Sequence, residues 1–392
     1  MTKLTVVIPA WNEEAGIADI VGRVLASKDG LEAIGVAELE LLVVDDGSTD
    51  QTAQVAESVE GVRLIRHEHN KGYGAALKTG FEAASGELIG FLDADGTYPP
   101  EMFPDLCRPA LNGAELIIGS RMAGERSDMP ITRRMGNLFF AGLLSFLGRQ
   151  KVTDSASGMR VFRREILDRM LPLPDGLNLT PVMSTRALHE GIRMAEVPIQ
   201  YSERVGQSKL SVVRDGSVFL QSMLWTVMTY NPVRILGLLG LAGIGLASLV
   251  ALGLVAVRLS GVTTLGPWGV GALYGALVSG VTGVSLFTLG ATFNYLVSLF
   301  YRRPIRQGLF GRPVFATPLE YRFGWLGAVC LLVGLGMGSA SLLLGFRGWG
   351  IERLWLYLLG SSFGFLMGIQ LVVSWLIIRV LGELSTRNLG SV

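Results

Sequence analysis

Four long apolar runs fill the second half of the chain, near residues 235–257, 272–300, 324–345 and 354–381. A helix needs about 20 apolar residues to cross a bilayer, and each run is long enough. Charges such as Arg258 and Arg379 fall only at their edges. Runs of this kind are rare in soluble folds. The second half is therefore read as a helical membrane domain with four transmembrane helices. Residues 1–210 are a different material, mixed and charged, so the overall 49% hydrophobic content averages two unlike halves.

The loops suggest an orientation, because cytoplasmic loops are rich in Lys and Arg. The connection between the second and third runs carries Arg302, Arg303, Arg306, Arg312 and Arg322. The other two connections are poorer, with Arg258 in one and Arg347 and Arg353 in the other. The expectation is an integral, multi-pass membrane protein with the arginine-rich loop, both termini and the N-terminal domain on the cytoplasmic side. The opening MTKLTVVIPAWNEE has an apolar segment too short for a signal peptide and runs into acidic residues. Cys107 and Cys330 fall in different halves, so no disulfide framework is implied. A net charge of +1 gives no bias toward nucleic acid or acidic partners.

In the first half, strand-like runs recur at Leu4–Ile8, Leu39–Val44, Val62–Ile65, Leu88–Leu92 and Leu116–Ile118. Helix-like stretches lie between them, at Glu13–Ala26, Thr49–Ser58, Tyr73–Ala84 and Glu101–Ala110. Alternation of this kind predicts an α/β domain with a mainly parallel sheet and helices on both faces. Ligands of such sheets bind outside the carboxyl ends of the strands. Four polar clusters fall there: Pro9–Glu14, Asp45–Asp50, Asp93–Thr97 and Gly119–Arg121. Each alone is ordinary turn chemistry, with Ser48 or Thr49 expected to cap a helix. Together they read as one large site.

Asp93 and Asp95, one residue apart after an apolar run, are the sharpest signal. They do not begin an EF-hand, whose glycine belongs at position six; here Gly96 stands at position four and prolines follow. NKGYGAALKTG, residues 70–80, lacks the Gly-Lys-Ser/Thr ending of a Walker loop. Its glycines suit either close packing on a nucleotide or a purely structural turn. His67, His69 and His189 have no metal-ligand spacing and read as ordinary loop or strand-end residues.

VVIPAWNEE, VVDDGSTD, NKGYGAALKTG, FLDADGTYPPE, GSR and ERVGQSKLS follow one another in this order. The series resembles the family-two glycosyltransferases of the GT-A fold, and among them the polyprenyl-phosphate glycosyltransferases, the group of dolichyl-phosphate mannose synthase and the bacterial undecaprenyl-phosphate enzymes. The resemblance covers about residues 3–215. It implies a Rossmann-like GT-A domain over 1–215, a juxtamembrane or interfacial helix over 216–234 and the four-span domain over 235–392. The implied reaction is inverting transfer of a sugar from a UDP- or GDP-linked hexose to undecaprenyl or dolichyl phosphate at the cytoplasmic face. Copies of such enzymes often associate through the membrane part.

The resemblance also assigns roles. Asp93 and Asp95 match an Asp-x-Asp motif that holds a divalent metal against the donor diphosphate, and hard carboxylates suit Mg²⁺ or Mn²⁺. Ala94 lies between them in the donor site. Thr97 stands where some relatives place a glutamine that reaches the metal, which makes it a third candidate ligand. Pro9, Trp11 and Glu13 match positions around the base and ribose. Asp46 matches an aspartate that hydrogen-bonds the base, with Asp45 supporting the loop. Arg121 and Arg133 match arginines that contact phosphate in the catalytic centre, where a guanidinium binds in a bidentate fork; Arg134 competes with Arg133 for this role. Leu138–Leu147 then reads as an amphipathic helix in the interface or as a core helix. Arg204, Ser208 and Lys209 match a loop that closes over the donor diphosphate.

Asp154 matches an acidic position that supplies a catalytic base when the acceptor is a hydroxyl; with a phosphate acceptor it is structural. The alternatives are therefore transfer to a lipid hydroxyl or to a growing polysaccharide. The Gln-x-x-Arg-Trp signature of polysaccharide synthases is absent, its nearest counterpart being Gln221–Trp225, which has no arginine. A non-catalytic scaffold is disfavoured by the intact Asp93, Asp95, Arg121 and Lys209.

Overall fold

A computed structural model describes residues 2–123, 129–148, 150–202, 212–301 and 319–389. The chain divides into two compact units, Met1–Val227 and Met228–Val392.

The first unit is built on one seven-stranded sheet. Its strands are β1 (Thr2–Ala10), β2 (Val36–Asp45), β3 (Val62–Arg66), β4 (Leu88–Phe91), β5 (Leu116–Ser120), β6 (Arg160–Arg163) and β7 (Met194–Pro198). They lie in the order β3-β2-β1-β4-β6-β5-β7. All pairings are parallel except those of β6, which runs antiparallel to both β4 and β5. This is the GT-A-like mixed sheet the sequence leads one to expect. β6 and β7 fall outside that expectation because they are short and carry charges: β6 reads Arg-Val-Phe-Arg.

Period-two alternation sorts the strand residues between two cores. Leu4, Val6, Ile8, Leu41 and Val43 face one, packed by α1 (Ile17–Ala26) and α5 (Phe103–Leu111). Val7, Leu42, Val44, Ile89 and Phe91 face the other, packed by α4 (Tyr73–Ala83) and α8 (Leu179–His189). Both faces are covered, which explains why these strands read as continuous apolar runs. The shorter helices α2 (Lys28–Glu32), α3 (Thr52–Glu57) and α7 (Leu167–Met170) complete the layers, and α6 (Ile131–Gly148) and α9 (Val212–Tyr230) follow β5 and β7 in the chain.

Two local expectations need correction. Residues 13–16 precede α1 instead of opening it, because the Glu13 and Glu14 amides bond to Thr52 Oγ1 and Asp50 Oδ2. Ser48 and Thr49 do not cap α3, which starts after Gln51; Ser48 Oγ accepts the Asn12 amide.

The second unit contains α10 (Pro232–Leu259), α11 (Pro267–Phe300), α12 (Phe323–Phe346) and α13 (Ile351–Leu389). All four are long and apolar enough to cross a membrane. Glycines set how closely they pack: a Cβ at Gly240 would lie 2.6 Å from the Gly283 carbonyl, and one at Gly364 would lie 2.8 Å from the Gly334 Cα. Small residues let helix backbones approach in a medium where apolar burial gives no drive. Across α11 and α13, Ser285 Oγ donates to Gln370 Oε1 at 2.9 Å.

Candidate active site

The sheet order places β1 between β2 and β4; the chain leaves β1 toward β2 and leaves β4 toward β5 on the other side, so the loops part at the carboxyl ends of these two neighbours. The loops after β1 and β2 are laced together there. Asn12, at φ 53°, turns the first loop. Its Oδ1 accepts the Thr49 amide at 2.9 Å, while Glu14 Oε2 accepts the Gln51 amide at 3.0 Å. Asp45 supports its loop as expected, Oδ1 accepting the Ser48 amide at 3.1 Å.

Asp46 is nearly buried. Its Oδ1 accepts His67 Nδ1 at 2.7 Å and the Lys71 amide at 2.9 Å, and its Oδ2 accepts the Gly72 amide at 2.8 Å. His67 Nε2 meets Thr79 Oγ1 of α4 at 3.0 Å. His67 stands at the end of β3, one of the two places expected for it, but it is more than an ordinary strand-end residue: its side chain is 5% exposed and braces Asp46.

Gly72 adopts φ 105°, and a Cβ there would lie 2.6 Å from the Asp175 carbonyl. That carbonyl also accepts the Gly74 and Ala75 amides at 2.6 and 3.1 Å, so it occupies the start of α4. These contacts give the 70–80 glycines a structural turn to make, although Gly72 still borders the cleft described below.

The two carboxylates after β4 are held differently. Asp93 Oδ1 accepts the Tyr73 hydroxyl at 2.7 Å. Burial, and next the charge of Asp93, hold the Tyr73 phenol well above its usual range, so it remains a donor. Asp95 Oδ1 accepts the Thr97 amide at 3.1 Å and the Thr97 hydroxyl at 2.5 Å. The Thr97 proton is therefore committed to Asp95.

Beyond β5, Arg121 and Asp154 form a bidentate ion pair, Nε to Oδ2 at 2.7 Å and Nη2 to Oδ1 at 2.8 Å, with the Arg121 amide also on Oδ2. The guanidinium lies 5.8 Å from the Tyr98 ring centre and 5.6 Å from that of Tyr201. Burial alone would raise Asp154, but the Arg121 charge and hydrogen bonds hold it below its usual range. Burial would likewise lower Arg121, and Asp154 outweighs it, so Arg121 stays charged. Its Nη1 makes no hydrogen bond among the described residues. Glu196 braces the same loop by accepting the Thr153 and Asp154 amides. Behind it, fully buried Arg160 donates to the Ser155 and Ser157 carbonyls and to Ser184 Oγ. Burial pushes this guanidinium down to about 10.

These groups surround one cleft of about 520 Å³. Pro9, Trp11, Glu13, Asp46, Asp93 and Ala94 line it, as do Asp95, Thr97, Arg121 and Arg133. Trp11 is 39% exposed. Arg134 is exposed and is not part of the lining, whereas Asn137 and Phe140 of α6 are. Leu177 and Thr180 also line the cleft. Arg204, Ser208 and Lys209 lie outside the described residues. Sequence reasoning did not reach Tyr73, His67, Thr79, Arg160 or Asn137, because none sits in a pattern that distinguishes it from a core or loop residue.

On α6, Ile131, Met135, Leu138, Phe139 and Phe146 are exposed while Leu144 packs with Met223 of α9. The helix has both an apolar outer face and a core face, so the two expectations for it are not exclusive.

Residues 5–171 match the family model described as glycosyl transferase family 2, and residues 232–391 match a domain of unknown function. A dolichyl-phosphate hexose transferase of Haloferax volcanii is 35% identical over 220 residues, 56% of this chain and 92% of that protein. An undecaprenyl-phosphate 4-deoxy-4-formamido-L-arabinose transferase of Aeromonas hydrophila is 30% identical, over 76% of this chain and 89% of that one. The low-salt glycan biosynthesis hexosyltransferase Agl6 of H. volcanii is 31% identical, over 86% and 78%. Among solved structures, glucosyl-3-phosphoglycerate synthase from Mycobacterium tuberculosis, in complex with Mn²⁺ and UDP, aligns at 24% identity and a TM-score of 0.47, covering 58% of this chain and 80% of that one. With 35% identity across nearly the whole haloarchaeal transferase, and a family match that spans β2 to β6 and most of β1, the chain belongs to the polyprenyl-phosphate glycosyltransferases of glycosyl transferase family 2.

Proposed function

We propose that the protein transfers a hexose from a nucleoside diphosphate sugar to a polyprenyl phosphate, with inversion, and that its first unit works at the cytoplasmic face of the membrane. The observation that carries the choice of acceptor is the state of Asp154. A hydroxyl acceptor needs a general base within reach of its proton. Asp154 is fully buried and clamped by Arg121 through both oxygens. A phosphate acceptor is already ionised and needs no base. The relatives named for dolichyl and undecaprenyl phosphate favour the same class.

In this reading Trp11 stacks on the base and Asp46 hydrogen-bonds it, with Pro9 and Glu13 around the ribose. Asp93 and Asp95 fit a divalent cation, Mg²⁺ or Mn²⁺: both are hard carboxylates that line the cleft, one residue apart. Among the described residues no group of three or more His, Cys, Asp or Glu forms a closed metal site. Two carboxylates leave coordination positions for diphosphate oxygens and water. Such a cation would neutralise charge developing on the leaving nucleotide. Thr97, its hydroxyl spent on Asp95, holds that carboxylate in place. Arg133 and Arg121 Nη1 bind acceptor phosphate oxygens, and the apolar side chains Met129, Phe140 and Phe219 border the route of the lipid. The exposed apolar face of α6 lies in the membrane surface beside that route. Catalysis is mostly positioning and electrostatic stabilisation.

The test is a product assay in detergent. Purified full-length protein is mixed with polyprenyl phosphate, a panel of nucleotide sugars and Mg²⁺ or Mn²⁺, with and without chelator. A single β-linked glycosyl phosphate lipid that chelator abolishes is the expected product. A neutral glycolipid or a polymer in its place would overturn the acceptor assignment.

A further inference from the structure

The donor's base can be read from the hydrogen-bonding capacity of Asp46, given the transferase reading above. An ionised carboxylate accepts about four hydrogen bonds, two on each oxygen, and donates none. Three N–H groups already converge on Asp46. His67 Nδ1 and the Lys71 amide take both positions on Oδ1, and the Gly72 amide takes one on Oδ2. A carboxylate only accepts, so in this contact His67 Nδ1 is the donor, and Nε2 faces the Thr79 hydroxyl. The histidine is held from both sides, with its own amide on the Asp45 carbonyl at 2.9 Å. It cannot turn away to release its position on Oδ1. One acceptor position on Oδ2 remains, on a residue that lines the cleft.

We infer that Asp46, saturated by His67, Lys71 and Gly72, selects a uridine nucleotide as donor. Uracil offers a single N–H, at N3, and that matches the one remaining position. Guanine presents two adjacent donors, N1–H and the N2 amino group, and a carboxylate engages them with both oxygens; here Oδ1 is full. Cytosine and adenine place a ring-nitrogen acceptor beside their amino group, and that lone pair would face the carboxylate. His67 is a positioning residue in this scheme: it acts on the base through Asp46.

Isothermal titration calorimetry on the full-length protein in detergent, with Mg²⁺ present, tests the inference. The probes are UDP, GDP, CDP and the diphosphate of 3-methyluridine, in which a methyl group replaces the N3 hydrogen. UDP should bind most tightly, with each of the others about tenfold weaker or more, the usual penalty for losing a hydrogen bond to a charged group. His67→Leu should free a position on Oδ1 and narrow the UDP-to-GDP ratio, while His67→Asn, which keeps a donor toward Asp46, should preserve it. A structural histidine would change both affinities alike. GDP binding as tightly as UDP, 3-methyl-UDP binding like UDP, or a ratio indifferent to His67→Leu would overturn the inference and leave the transferase reading standing. Binding of none of the four would overturn both.

Discussion

Replacing Gly158 by Ala should disable the site while sparing the fold. Gly158 follows the Asp154 loop, and its amide donates to the Tyr98 hydroxyl at 2.7 Å. A Cβ built there would lie 2.4 Å from Asp93 Oδ2 and 2.7 Å from both Asp93 Cγ and Oδ1. Ordinary carbon–oxygen contacts lie at about 3.3–3.6 Å, so the carboxylate must retreat by roughly 1 Å. The obstacle is the end of a short side chain and not backbone, so rotation of Asp93 relieves it. That rotation breaks the Tyr73–Asp93 hydrogen bond. A hydrogen bond to a charged group contributes about 1.5–3 kcal/mol. A displacement of about 1 Å in a reacting constellation costs on the order of a hundredfold in rate. The expectation is therefore about a hundredfold loss of kcat/KM in the lipid-phosphate assay, with a higher metal concentration needed for half-maximal rate. Tyr73→Phe removes the same bond without adding an atom and should lose part of the same activity. Gly158→Ala enzyme within about threefold of wild type, a barrier change well under 1 kcal/mol, would refute the claim that Asp93 is used in the pose seen here.

Three further outcomes are expected. Asp95→Asn should abolish metal-stimulated transfer with little change in melting temperature, checked by product assay and thermal melt on one preparation. Trp11→Ala should raise the donor KM about tenfold, since base stacking contributes about 1–3 kcal/mol, and leave the acceptor KM unchanged. Asp154→Asn should destabilise the first unit by about 3–5 kcal/mol, the cost of breaking a buried ion pair from one side. Because Asp154 is depressed below its usual 3.8, its contribution is complete above that pH and disappears as pH falls through the lower folded value. Acid-unfolding curves should show this fall in wild type and not in the variant.

What the sequence revealed and what it hid follow from where each signal resides. The Asp-x-Asp pair, the strand-end clusters and the membrane runs are local and periodic, so they are legible in the sequence, and members of each strand-end cluster line one cleft. The contacts that hold those residues join segments far apart in the chain. Tyr73 to Asp93 spans 20 residues, His67 to Asp46 spans 21 and Arg121 to Asp154 spans 33. No spacing rule reaches such pairs. β6 was invisible for the opposite reason: Arg160 places a charge where a central strand should be apolar. A buried cation is tolerated there because two carbonyls and a hydroxyl satisfy it.

Arg160 also bears on how the cleft would accept the anions of the proposed reaction while lined by so many acids. Arg121, Asp154 and Arg160 together carry one net positive charge, with Asp154 raising both guanidiniums against the cost of burial. Replacing Asp154 by a neutral residue would leave two buried cations facing each other, and replacing Arg160 would leave a neutral pair. As built, the excess positive charge lies in the protein interior, where screening by salt is weak. The carboxylates Asp93 and Asp95 sit on the cleft wall itself, where a cation and a diphosphate can meet them. In the proposed reaction, a fixed positive field behind the wall and negative ligands on it would let the site bind metal and phosphate together, with little reorganisation as charge moves onto the leaving group.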